Sequence, residues 1–233
     1  MPKEISARVK EIIQRTHNVK SIRMEVKDTD FKAGQFMLVM LHGNTALKRY
    51  LSISNSPTEK GYIEFTKKLT ESDFSKELDS LEPGDSVKVE YPMGNFTLED
   101  PKDKIVFLSG GIGITPIRSI SKYVVDTNSG ADIILLYGNQ SLGDIVFKDD
   151  FAEMARQYPK LKVVHILCEP SPGMDCRIGL INKDIITKEV PDYMMRKFYI
   201  CGPPAMVEAM KKMITKELMV PADRIVTENF QGY

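Results

Sequence analysis

Cysteine and histidine are scarce, three of each in 233 residues. Cys168, Cys176 and Cys201 are odd in number and show no CxxC spacing. That argues against a disulfide framework and against an iron–sulfur cluster built from this chain alone. His17, His42 and His165 are scattered without HxxxH or HExxH pairing, so no metal site is expected. No apolar run approaches the roughly 20 residues that span a bilayer. An excess of charge is missing too. The chain holds 32 basic and 32 acidic residues, and residues 1–100 alone hold 15 against 16. This balance excludes the electrostatic footprint of a nucleic-acid or anionic-membrane binder. No signal peptide is visible, and the chain reads as a cytoplasmic protein without a membrane span.

What is present falls into two rhythms. Residues 1–100 carry short strand patterns at 5–13, 19–26, 35–42, 51–54, 62–69 and 86–89, separated by turn signals such as Pro83-Gly84-Asp85. One helical piece, 74–81, interrupts them behind Ser72 and Asp73 as caps. Several short strands at about ten-residue spacing suggest a small barrel or sandwich. From Lys104 onward, strands at 105–108, 132–137, 162–167, 197–201 and 224–228 alternate with helices at 115–125, 148–157, 182–188 and 203–217. That alternation predicts a parallel sheet wound on both faces. The polar, proline-bearing stretch 99–103 separates a β-barrel domain, 1–100, from an α/β domain, 101–233.

The most informative stretch opens the second half. A buried-strand pattern, Ile105 to Leu108, runs into Ser109, Gly110, Gly111 and Gly113, and a helix then opens at Thr115 and Pro116. Bare backbone N–H groups at a helix N-terminus form an anion site suited to a dinucleotide pyrophosphate. The pattern is not the Rossmann fingerprint, because Pro116 stands where a third glycine belongs and no acidic residue closes the next strand.

Four segments in order resemble the ferredoxin–NADP reductase superfamily, whose barrel holds a flavin and whose second domain holds NAD(P)H. The first, Arg49-Tyr50-Leu51-Ser52, resembles the family's Arg-x-Tyr-Ser/Thr flavin motif. The resemblance implies that Arg49 pairs with flavin phosphate and that the Ser52 hydroxyl sits near flavin N5. Leu51 occupies the ring-covering tyrosine's position, with Tyr50 one residue off and on the opposite strand face. The second, Thr70 to Leu78, resembles the turn that holds flavin pyrophosphate, with Ser75 as candidate. Thr66 either reaches the flavin or is an ordinary strand threonine, and Phe96 either nears the flavin tail or packs in the core. The third, Gly-Gly-Ile-Gly-Ile-Thr-Pro over 110–116, is similar to the family's dinucleotide loop. The fourth, Cys201-Gly202-Pro203-Pro204-Ala205-Met206, resembles its Cys-Gly-Pro-x-x-Met segment, which places Cys201 beside the nicotinamide. Near the C-terminus, Glu228 fits the family's acidic residue, and Phe230 or Tyr233 fits its aromatic.

The implied activity is that of an NAD(P)H-dependent flavoprotein reductase. Hydride passes from nicotinamide to FAD, or alternatively FMN, with Ser52, Cys201 and Glu228 as catalytic candidates. Electrons then leave for a separate acceptor protein, a ferredoxin, a cytochrome or a subunit of a redox complex. The alternatives are an electron-transfer subunit with little turnover alone and a non-catalytic dinucleotide sensor. NADH is expected over NADPH, because 138–144 contains no arginine or lysine to meet a 2′-phosphate. Asn139 or Gln140 would bond neutral ribose hydroxyls there, and Arg177 is the residue able to overturn this expectation.

Overall fold

The computed structural model describes residues 2–27, 30–100 and 102–229. The chain divides into two compact units. Residues 1–98 join with 115–126, and residues 99–114 join with 127–233.

In the first unit, β1 (Lys3–Thr16), β2 (Val19–Glu25), β3 (Phe36–Leu41), β4 (Lys48–Ser52), β5 (Tyr62–Lys68) and β6 (Ser86–Met93) form one sheet in the order β4-β3-β6-β1-β2-β5. β1 pairs antiparallel with β6 through its first half and with β2 through its second. The register shift after Val9 lets one strand serve both neighbours and bend the sheet. The edges meet beyond β4, where the Ser54 amide donates to the Glu64 carbonyl at 2.8 Å and Ile53 bridges to Phe65. The sheet thereby curls into a barrel. Period-two alternation sends Met37, Val39 and Leu41 of β3 and Ile22 and Met24 of β2 inward, against Phe74 and Leu78 of α1 (Asp73–Asp79). Helix α2 (Ile114–Thr127) completes this unit through residues 115–126, with Pro116 in its first turn.

The second unit is a parallel sheet of β7 (Lys104–Gly110), β8 (Asp132–Asn139), β9 (Leu161–Leu167), β10 (Cys176–Ile178), β11 (Lys197–Gly202) and β12 (Ile225–Asn229), in the order β10-β9-β8-β7-β11-β12. Helices α3 (Lys148–Gln157), α4 (Lys183–Glu189) and α5 (Pro204–Lys216) connect its strands. β7 and β11 are buried almost throughout, as central parallel strands should be. From β7 the chain winds outward to β10, then returns to β11 and β12 on the other side. The order therefore reverses between β7 and β11. Open α/β sheets bind ligands outside the carboxyl ends of such strands.

Candidate functional site

In the barrel unit, β4 displays the residues of the first motif. The Arg49 guanidinium lies over the Phe74 ring at 5.4 Å and donates to the Lys48 carbonyl at 2.7 Å. Among the described residues no carboxylate forms a salt bridge with it. Lys67 on β5 is 5% exposed, and burial, then the Arg49 charge, pushes its ammonium down to about 8. The Lys67 ammonium donates to the Lys68 carbonyl at 2.7 Å, so two cations, Arg49 and Lys67, stand on one part of the barrel. Ser52 is buried, and its Oγ has no hydrogen-bond partner. A buried hydroxyl without a partner costs free energy that a ligand can recover. Tyr50 is 64% exposed, edge-on to Phe36 with ring centres 5.7 Å apart, whereas Leu51 packs against the barrel core.

Two sequence candidates on this unit are engaged within the protein. The Thr66 hydroxyl is buried, 2.7 Å from Ser21 Oγ and 2.9 Å from Ser54 Oγ. Ser54 continues the chain to Glu64 at 2.8 Å, and the Arg23 guanidinium also donates to that carboxylate at 2.8 Å. The Ser75 amide donates to Ser72, the N-cap of α1, and the Ser75 hydroxyl is 3.1 Å from the hydroxyls of both Thr70 and Ser72. Phe96 is buried.

In the second unit the two glycine-bearing turns stand side by side at the sheet's switch point. A Cβ on Gly113 would lie 2.3 Å from the Cys201 carbonyl oxygen, so no larger residue lets the turns approach this closely. Met206 seals the contact, resting against the Cα positions of Gly110 and Gly202. Gly111 differs: its φ of +52° is left-handed, and nothing lies within 4 Å of the space a Cβ would take. It faces open volume. Pro203 and Pro204 are exposed beyond β11, and Thr115, which belongs to the first unit, is buried.

Beneath these turns, Ser109, Cys201 and Glu228 stand in register on β7, β11 and β12 and point to one face. Cys201 is fully buried; burial and then the Glu228 charge push its thiol well up, so it stays protonated. Burial pushes the Glu228 carboxyl up to about 7. Among the described residues, Ser109 Oγ and Glu228 Oε2 have no hydrogen-bond partner. At the end of β8, Asn139 is buried, Gln140 donates to Glu169 at 3.2 Å, and Asp144 accepts from both the amide and the hydroxyl of Ser141. Arg177 donates to Glu189 at 2.7 Å and to Asp175 at 3.3 Å.

Comparison with known proteins identifies the domains and the family. Residues 6–98 match the family described as oxidoreductase FAD-binding domain, and 107–212 match the oxidoreductase NAD-binding domain. NADH-cytochrome b5 reductase 1 of Dictyostelium discoideum is 31% identical over 204 residues, which cover 83% of this chain and 71% of that protein. The chain belongs to the ferredoxin–NADP reductase superfamily. Another superfamily relative, the glycine betaine monooxygenase reductase subunit of Chromohalobacter salexigens, is 31% identical over 79% of this chain and 52% of its own length. The Amycolatopsis cytochrome P450 reductase GcoB superposes with a TM-score of 0.86 at 28% identity, covering 98% of this chain and 70% of that one. The chain spans about half the length of the first curated relatives it matches.

The residues present fit the cofactors that superfamily membership implies. A paired cation site and an unpartnered Ser52 hydroxyl suit a flavin. An open glycine turn above the unpartnered atoms of Ser109 and Glu228 suits a nicotinamide dinucleotide. Sequence reasoning missed Lys67, Ser109 and the acceptor Glu169. Lys67 follows Thr66 directly and Ser109 precedes the glycines, so both lay inside stretches already singled out. Phe230 and Tyr233 lie outside the described residues. Among the described residues, no helix is long and apolar enough to cross a membrane.

Proposed function

We propose that this chain is an FAD-containing, NADH-dependent reductase that delivers electrons to a separate acceptor protein. The observation that carries the proposal is the contact of Gly113 with the Cys201 carbonyl, which joins two motifs about 90 residues apart at the sheet's switch point. When bound, flavin and nicotinamide supply the hydride and electron chemistry that no side chain can. The protein's own residues bind, orient and manage charge. Arg49 and Lys67 hold flavin phosphate as a cation pair, more directly than Ser75, whose hydroxyl is engaged within α1's cap. Ser52 offers its hydroxyl to the flavin edge, and exposed Tyr50 is the aromatic surface of this segment. Gly110, Gly111, Gly113, Thr115 and Pro116, with Gly202, Pro203 and Met206, shape the dinucleotide seat. Cys201 forms its neutral floor, and Glu228, poised near neutral pH, holds a proton on its carboxyl there.

The neighbourhood of Asn139 and Gln140 supports NADH over NADPH. Gln140 leans on Glu169, Asp144 adds a second carboxylate, and Arg177 already has two acidic partners. Missing one charge-assisted contact is worth about 1.5–3 kcal/mol, so kcat/KM should favour NADH by roughly tenfold or more. The acceptor is a ferredoxin, a cytochrome or a subunit of a redox complex. The second reading is an electron-transfer subunit with little turnover alone. It draws support from the chain's spanning about half of relatives that are themselves called reductase subunits. Extraction and chromatography of the cofactor from purified, reconstituted protein tests the proposal. One FAD per chain is expected; no flavin after reconstitution contradicts it.

A further inference from the structure

Arg118, on the second turn of α2, is 4% exposed and belongs to none of the four motifs. Its Nη2 donates to Glu59 Oε1 at 3.1 Å, its Nη1 makes a closer contact with Glu59 Oε2, and Nη1 also reaches the Ser54 carbonyl at 3.2 Å. Burial acts to raise the Glu59 carboxyl, but the Arg118 guanidinium together with the Ser56 amide and the Tyr62 hydroxyl outweighs it and holds the group below its usual range. The Ser56 amide donates to the same carboxylate at 2.7 Å and the Tyr62 hydroxyl at 3.0 Å. On either side, Ser119 Oγ donates to the Asn55 carbonyl at 2.6 Å, and Thr58 Oγ1 donates to Asp126 at 2.5 Å. Loop 54–59 is therefore gripped along the length of α2.

A buried ion pair adds little net stability, because desolvation offsets its attraction. A bidentate fork supplies geometric definition instead. The loop it fixes leaves β4 two residues past Ser52, and the helix that fixes it carries Thr115 three residues before Arg118. We infer that the Arg118–Glu59 pair positions Thr115 of α2 relative to Ser52 of β4, both within the first unit. This rests on the function proposed above.

Arg118→Lys, which keeps the charge without the fork, and Glu59→Gln, which keeps the shape without the charge, test it. With FAD loaded, both variants should keep their FAD dissociation constant within about threefold while flavin reduction by NADH slows about tenfold or more. In the apoprotein, amide hydrogen exchange should rise together over 52–56 and 115–119. Parallel loss of FAD affinity and reduction rate, or wild-type reduction in both variants, overturns the inference. If Glu59→Gln does not fold, the split in Arg118→Lys decides. A wild-type protein that binds no FAD defeats the proposed function instead, and the hydrogen-exchange coupling, read without cofactor, still decides the pair's role.

Discussion

In the function proposed above, the barrel and the parallel sheet prepare for their ligands by different physics. The barrel does it with side chains: two crowded cations, Arg49 and Lys67, and an unpartnered hydroxyl on Ser52. The proposed seat in the parallel sheet relies on backbone instead, at Gly111 and Gly113, where a side chain would be strained or would collide. A backbone site tolerates no added atom, so its sequence signature is rigid. A side-chain site can drift by a residue and still work. On this proposal Gly-Gly-Ile-Gly-Ile-Thr-Pro reads cleanly, while the aromatic of the barrel segment stands at Tyr50 with Leu51 beside it.

The sharpest way to break this contrast is to fill the glycines. Gly113→Ala drives a methyl to 2.3 Å from the Cys201 carbonyl and should destabilise the fold by about 3 kcal/mol in urea denaturation. Gly111→Ala meets open space and should cost only the left-handed strain, about 1–2 kcal/mol. Equal losses at the two positions would mean that close packing is not what Gly113 provides. Arg49→Ala should behave in the opposite sense. It weakens FAD binding by about 1.5–3 kcal/mol, tenfold to over a hundredfold, and leaves the denaturation midpoint near wild type.

Two smaller effects depend on pH. Glu228 titrates near 7 when folded and near 4.5 when unfolded, so between those values the native state binds more protons. Stability from this group is complete below about pH 4.5 and declines as pH rises to about 7, by on the order of 3 kcal/mol. Glu228→Gln should flatten that part of a melting-temperature profile, and an unchanged slope would place the carboxyl in water. Lys67 loses its charge as pH rises through about 8. FAD affinity should therefore weaken above pH 8 in wild type and not in Lys67→Met, which fluorescence titration across that range can read.

Much of the architecture was legible because hydrophobic period and turn residues agree along most of the chain. The expected strand at 132–137 and the helix at 148–157 fall on β8 and α3. β10 was missed because three residues, Cys176 to Ile178, carry no period to detect. Thr66 and Ser75 show the limit for sites. Their residue types were visible, but the hydroxyls of Ser21, Ser54, Thr70 and Ser72 that engage them come together only in the folded chain. Arg118 was invisible for the same reason, since Glu59 lies 59 residues away. The packing of 115–126 with the barrel unit likewise depends on contacts distant in sequence.

Anaerobic titration of the FAD-loaded protein with NADH tests the central claim most directly. Flavin absorbance should bleach completely at one NADH per chain, with NADPH slower by roughly tenfold. A bound flavin that keeps its oxidised spectrum under excess NADH would contradict it.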